Sequence, residues 1–395
     1  MEGVTHEKSS MTLKDKALVS GIGETRYVRA PGSGKTPIAL QMEAALAAIA
    51  DAGLTPKDID GIIPFAIGPL VAEDFVTNFG ITDLSFSALT PLGGASAVAS
   101  LQCAAAAIAA GVCRHVLLSL GRNGYSGTRI ASRIAQMPQF RVVGEFEVPS
   151  GATTPVQFYA PMARLHMDRY GTTARQLGEI AVTMRKHALL NGNAVNKDPL
   201  SIEEYLASRM ISEPLRLFDC SVESDGAACV VVSAAGHAAE MPRRAVYISG
   251  VGEGHPEMPS AVSQRADLLA LGTSKAARKA FTMAGVKPAD IDVAEIYDCF
   301  TYILLRQIEE LGFCAAGEGG AFVQDGGIGL GGRLPVNTHG GLLSQAHVGG
   351  MNHIVELVRQ LRGEAGHAQV QGAELGLVTG FGDMCDGTVA IMRRG

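Results

Sequence analysis

Ala52-Gly53-Leu54-Thr55-Pro56-Lys57-Asp58-Ile59-Asp60 is read again 232 residues later as Ala284-Gly285-Val286-Lys287-Pro288-Ala289-Asp290-Ile291-Asp292, with six of nine positions identical. Each copy ends a helical stretch on glycine, which accepts the left-handed cap, and then turns at a proline. In the first copy a helix over 41–52 leads to a strand over 61–65; in the second a helix over 266–284 ends at Gly285. A second correspondence runs in the same order. Gly93-Gly94, an alanine-rich helix over 95–110, Gly111 and the apolar run 116–121 are answered by Gly340-Gly341, a helix over 351–362, Gly363 and the run 375–380. One short match can arise by chance, whereas two in one order mean two homologous halves, each a β-α-β-α-β layer.

Working outward, residues 17–22 read as the first strand, and 85–89, 227–235 and 244–251 as further strands. Gly21-Ile22-Gly23-Glu24-Thr25-Arg26 lacks the third glycine of a dinucleotide fingerprint and is set aside. The small side chains of 95–110 allow that helix to lie between two sheets. Apolar alternation weakens over 122–214, which holds Tyr125, Tyr159, Tyr170 and Tyr205 and helical patterns near 159–170 and 174–190. The division that follows is an N-terminal half over 13–243, carrying a loop-helix insertion at 122–214, and a C-terminal half over 244–395.

Of 395 residues, 47% are hydrophobic and 18% charged, enough to bury a large core. The net charge of −6 provides no broad cationic field for nucleic acid or an anionic membrane, so an anionic ligand must be held locally. Seven cysteines form no CxxC pair and no Cys/His metal set, and their odd number argues for a reducing, cytoplasmic setting. Residues 1–16 carry no apolar export signal, and the 95–110 segment falls short of the ~20 residues that span a bilayer.

The chemistry-bearing stretch is Asn337-Thr338-His339-Gly340-Gly341-Leu342-Leu343-Ser344-Gln345-Ala346-His347-Val348-Gly349-Gly350, running into the helix at 351–362. Glycines let backbone approach a ligand, and a following helix offers free N–H groups. From spacing alone, a reactive pair of histidines and a loop with one buried and one solvated histidine both remain open.

A duplicated layer with a buried central helix in each half resembles the thiolase superfamily over nearly the whole chain, which implies a five-layer α-β-α-β-α sandwich. Asn337-Thr338-His339-Gly340-Gly341 and Ala346-His347-Val348-Gly349-Gly350 resemble the thiolase Asn-x-x-Gly-Gly and Gly-His-Pro-x-Gly stretches, making His347 the match for the catalytic histidine. Glu295-Ile296-Tyr297-Asp298-Cys299-Phe300 falls where thiolases carry Asn-Glu-Ala-Phe, with Tyr297 in place of the asparagine. The nucleophilic cysteine is missing: Gly94 stands in its place, and Cys103 lies further along the helix, expected inside the sandwich. The second thiolase cysteine is absent from 378–382, and Cys385 follows that turn. With Phe218-Asp219-Cys220 ahead of Ser224-Asp225-Gly226, the pattern is similar to the thiolase-like lipid-transfer proteins, a branch that includes bacterial steroid side-chain aldolases. The resemblance implies retro-aldol cleavage of a β-hydroxyacyl-CoA, with coenzyme A as part of the substrate and no cofactor or metal of the chain's own. It also implies a homodimer paired through the first half's sheet edge, and a small OB-fold or zinc-ribbon partner protein.

Retro-aldol cleavage needs a base and a polarised thioester carbonyl, and no covalent nucleophile. Tyr297 is the candidate base, although a phenol with a pKa near 10 must be lowered at a cost of roughly 4 kcal/mol to serve at pH 7. His347, with His339, would supply that help. Gly94 and Gly380, with Gly341, are the backbone positions for the substrate oxygen. Asp298 is a competing base or else the N-cap of a helix beginning near Phe300. Cys299 is an alternative nucleophile, and Arg122, Arg129 and Arg133 either meet CoA phosphates or form a solvated face. Thiolase-type acyl transfer and a non-catalytic acyl-CoA or lipid carrier are the competing functions.

Overall fold

The computed structural model describes residues 12–64, 70–133, 140–259, 261–382 and 385–395. Phe65 at the end of the second expected strand, residues 1–11 and the Arg133 side chain lie outside the described residues.

The repeated nine residues fold twice in the same way. After α1 (Pro37–Asp51) and again after α5 (Thr273–Ala284), a glycine takes positive φ, +74° at Gly53 and +73° at Gly285. The carboxylates of Asp58 and Asp290 then accept the amides of Thr55 and Lys287, each at 2.7 Å. Asp60 accepts the amides of Arg114 and His115, where β4 (His115–Asn123) begins. Asp292 does the same for Glu374 and Leu375 at the head of β8 (Leu375–Gly382). The conserved letters of the repeat are thus the ones that close each turn onto the next strand.

Around these turns the strands are β1 (Ala17–Glu24), β2 (Gly61–Pro64), β3 (Phe86–Ser87), β4, β5 (Asp225–Ala234), β6 (Val246–Gly254), β7 (Val293–Glu295), β8 and β9 (Asp386–Arg394). They lie in the order β3-β2-β4-β5-β1-β6-β9-β8-β7. The halves meet where β1 pairs antiparallel with β6, Leu18 opposite Tyr247 and Val19 opposite Val246, so the two sheets are one hydrogen-bonded ribbon. The sheet then folds over two central helices, α2 (Ser96–Ala109) and α7 (Met351–Arg362), which touch strands of both halves and each other. With α1 on the outer face of the first half and α5 on that of the second, five layers result.

Two expectations are corrected. The helix expected over 266–284 starts only at Thr273, with Gly272 as its N-cap. Cys103 is half-buried on α2 rather than enclosed between the sheets. Strand β9, unforeseen in the sequence, pairs β8 with β6. The insertion contributes α3 (Pro155–Tyr170) and α4 (Ala174–Leu190), each entered through a Thr/Gln capping box, and α6 (Thr301–Glu310) packs against α4.

Candidate active site

Tyr297 is placed by its backbone. Its amide donates to Thr379 Oγ1 at 2.9 Å, its carbonyl accepts Gln307 Nε2 at 2.7 Å, and Thr379 in turn donates to Gln307 Oε1. One residue earlier, the Asn337 side chain bonds both the amide and the carbonyl of Ile296, at 2.6 and 2.7 Å. That pairing ties the Tyr297 segment to the glycine-rich loop.

The loop forms a single π-helical turn, Gly341–Gln345, after Gly340 and Gly341 take φ of +104° and +63°. Asp298 fixes this turn by accepting the amides of Leu342 and Leu343 and His353 Nε2, at 2.7, 3.2 and 3.1 Å. It is fully buried and does not cap α6, whose N-cap is Phe300 without a side-chain bond. A Cβ on Gly341 would come within 2.0 Å of Asp298, so the glycine is required by this anchor.

His347, half-buried, leaves the turn towards Tyr297. Its Nε2 lies 3.1 Å from Tyr297 Oη, and its Nδ1 lies 3.0 Å from Ser221 Oγ. Its amide donates to Ser224 Oγ and its carbonyl accepts Nε and Nη2 of Arg122. Ser221 was not singled out in the sequence; its only signal was its place in Asp219-Cys220-Ser221-Val222-Glu223-Ser224-Asp225-Gly226.

Tyr297 and His347 open into a cavity of about 600 Å³. Gly94, Gly349 and Gly382 border it, and the insertion supplies an apolar wall of Phe140, Val156, Phe158, Tyr159 and Ile211. Gly94 is fitted to Tyr297, since a Cβ there would sit 2.2 Å from the phenol oxygen and 2.4 Å from the Phe381 carbonyl oxygen. The phenol occupies the space in which a side chain at position 94 would stand. Gly380 is turned away against Ala95 and Thr388, and Gly382 takes its place at the cavity.

His339 is brought to the other side of the turn, outside this lining. Its Nδ1 is 2.9 Å from Glu295 Oε2, and burial pushes its pKa down to about 3 and that of Glu295 up to about 8. Burial thus favours the neutral form of each. Thr338 Oγ1 receives Gln360 Nε2 and lies 3.0 Å from Glu295 Oε1 and 2.6 Å from Glu356 Oε1, joining the two buried carboxyls.

None of the cysteines is set up as a nucleophile. Burial raises all seven thiols, Cys385 to about 11 and Cys220 to about 12, and Cys299, which lines the cavity, well above the ordinary range. A reactive cysteine needs the opposite shift. Arg129 is paired with Glu223, and like Arg122 it lines the cavity. Among the described residues no group of three or more His, Cys, Asp or Glu could hold a metal ion, and no helix is long and apolar enough to cross a membrane.

A family model described as thiolase C-terminal domain-like matches residues 254–394. The chain is 40% identical over 375 residues to the 17-hydroxy-3-oxo-4-pregnene-20-carboxyl-CoA lyase of Mycobacterium tuberculosis, spanning 93% of this chain and 96% of that protein. The chain belongs to the thiolase superfamily, in its aldolase branch. This thiolase-superfamily lyase is also 38% identical to the steroid side-chain-cleaving aldolase of Thermomonospora curvata, over 89% of this chain and 91% of that one. Its fold superposes on a solved Ltp2-ChsH2(DUF35) aldolase with a TM-score of 0.90 at 35% identity, covering 97% of this chain and 99% of the other.

Proposed function

We propose that the chain cleaves the Cα–Cβ bond of a β-hydroxyacyl-CoA with a bulky, steroid-like acyl group, releasing a ketone and a shorter acyl-CoA. The observation that carries this reading is the Tyr297 hydroxyl, bonded to His347 and seated in the space above Gly94. With the Nδ1–H of His347 donated to Ser221, the Nε2 lone pair faces the phenol. Tyr297 takes the β-hydroxyl proton as its own proton passes to His347. The Cα–Cβ bond then breaks, its electrons forming the thioester enolate and the β-carbon becoming the ketone. The proton returns through Tyr297 to Cα. The enolate oxygen is received by backbone N–H groups at the Gly94 and Gly382 seam rather than at Gly380 or Gly341. His339 and Asp298 hold the loop's shape, and the apolar insertion wall accepts the acyl group.

Tyr297→Phe is expected to lower turnover by roughly 10²–10⁴-fold with little change in Tm. Full aldol cleavage by this variant would remove Tyr297 from the reaction. The assay uses the chain together with a small OB-fold or zinc-ribbon partner, on the pattern of the Ltp2-ChsH2(DUF35) neighbour, and turnover is expected to rise when the partner is added. Seven free cysteines support a reducing, cytoplasmic setting. Mass spectrometry after incubation with an acyl-CoA is expected to find no acylated cysteine, and finding one would favour acyl transfer.

A further inference from the structure

The apolar wall of the cavity holds a hydroxyl that the packing does not account for. Tyr159, on α3, is 7% exposed, and its ring packs against Phe300 and Phe381, with centroids 5.1 and 5.9 Å away. Both neighbours belong to the site: Phe300 follows the Tyr297 segment, and the Phe381 carbonyl lies beside Gly94. Among the described residues the Tyr159 hydroxyl has no hydrogen-bond partner. Nor is it sealed off, as the unpartnered Tyr302 hydroxyl is, so it faces the cavity that Tyr159 lines. The hydroxyl of Thr154, which also borders the cavity, is taken by Gln157 Oε1 at 3.1 Å. Burial raises the Tyr159 phenol well above its ordinary range, so it stays a donor. Phenylalanine would keep both ring contacts and avoid the cost of taking a bare hydroxyl out of water. Packing alone leaves the oxygen unexplained.

We propose that Tyr159 is a specificity-determining residue whose hydroxyl donates a hydrogen bond to an oxygen on the ring system of the acyl group, separate from the β-hydroxyl and the thioester carbonyl. The inference rests on the acyl-CoA reading, in which that group lies against this wall. The neighbouring wall residues Phe140, Val156, Phe158 and Ile211 recognise shape and apolar area only. They accept a hydrocarbon that fits, whereas an oxygen buried among them without a partner is rejected. Tyr159 reverses that at one position: an oxygenated ring gains the bond, and a plain hydrocarbon leaves the phenol unpaired. Because its ring is held against Phe300 and Phe381, the hydroxyl is in place before the ligand arrives. The ligand class is a polycyclic acyl-CoA that bears a ring ketone or ring hydroxyl.

The test uses polycyclic acyl-CoA thioesters without the β-hydroxyl, which bind but cannot be cleaved: a parent with an all-hydrocarbon ring system, and a series carrying one ketone at successive ring positions. Each is titrated calorimetrically into the full chain, as wild type and as Tyr159→Phe. At least one ketone is expected to bind wild type about tenfold more tightly than the parent. Tyr159→Phe, which keeps the ring, is expected to abolish that preference while binding the parent at least as well. A preference that survives in Tyr159→Phe, or no preference for any ketone in wild type, would overturn the proposal. Equal weakening of every member in Tyr159→Phe would do the same and mark the residue as packing only. Binding of the parent tests the acyl-CoA reading, and the difference between members tests Tyr159, so the two failures are distinguishable. If no member binds wild type, both fall.

Discussion

At the scale of single residues, the site turns on a contact between Gly94 and Tyr297. A thiolase-like protein with a thiol at position 94 has no room for this phenol, and this chain with its phenol has no room for a thiol. Gly94→Ala pushes a methyl group against a backbone carbonyl as well as the phenol, so activity should fall at least about 100-fold and stability by roughly 1–3 kcal/mol, read by turnover and chemical denaturation. Ser221→Ala leaves His347 Nδ1 without this partner and should lower kcat by about tenfold while shifting the pH-rate profile. Ser221→Thr, which keeps the hydroxyl, should restore the profile, and an unmoved profile in Ser221→Ala would show that the contact is only packing. Tyr297 and His347 were legible in the sequence as motif positions. Ser221 was not, because its importance comes from a hydrogen bond to a residue 126 positions away.

At the scale of the element, the glycine-rich loop is held by buried polar groups. Asp298 accepts three hydrogen bonds beneath the turn. Asp298→Ala strands two amides and should cost roughly 3–5 kcal/mol in denaturant unfolding. If Asp298 were instead the base, Asp298→Asn would abolish turnover while leaving Tm in place. Glu295 and His339 bracket the pH range of the loop. The folded pKa of Glu295 is raised to about 8 by burial, so its contribution to stability is complete below the ordinary carboxyl pKa and lost as pH rises through 8. His339 is lowered to about 3, again by burial, so its contribution is present above the ordinary imidazole pKa and lost as pH falls towards 3. Wild-type Tm should therefore fall on both sides, and Glu295→Gln should reduce the fall between the ordinary carboxyl pKa and about 8. An unchanged alkaline limb would place that titration elsewhere. Spacing alone presented His339 and His347 on equal terms, and only the motif resemblance favoured His347. The π-helical turn separates them, sending one into the core and the other to the cavity.

At the scale of the molecule, the halves are braced by Arg362 at the end of α7, fully buried in its side chain. It donates to Asp51 Oδ2 at 2.7 Å and to the Ser20 carbonyl at 2.9 Å, both in the first half. Arg362→Ala should destabilise the chain by about 3–5 kcal/mol, since it leaves Asp51 and the carbonyl short of a partner. At the outer edge of the sheet, β3 has no strand beyond it among the described residues, and Leu89 beside it is 58% exposed. If the homodimer implied by the family resemblance forms there, Leu89→Glu should halve the mass seen by light scattering. An unchanged mass would move the interface elsewhere.

The sequence by itself determined the duplication, the two central helices and the absence of a thiol at position 94, because a repeated turn needs the same glycine, proline and aspartates wherever it folds. It also marked the loop that carries His347. Tertiary structure alone decided which histidine meets Tyr297, that Gly382 rather than Gly380 borders the cavity, that Asp298 anchors a turn rather than capping a helix, and that the Tyr159 hydroxyl faces the cavity. Local patterns are written in neighbouring residues, whereas these four outcomes depend on distances between residues far apart in the chain, which only the packing of the halves and the insertion sets.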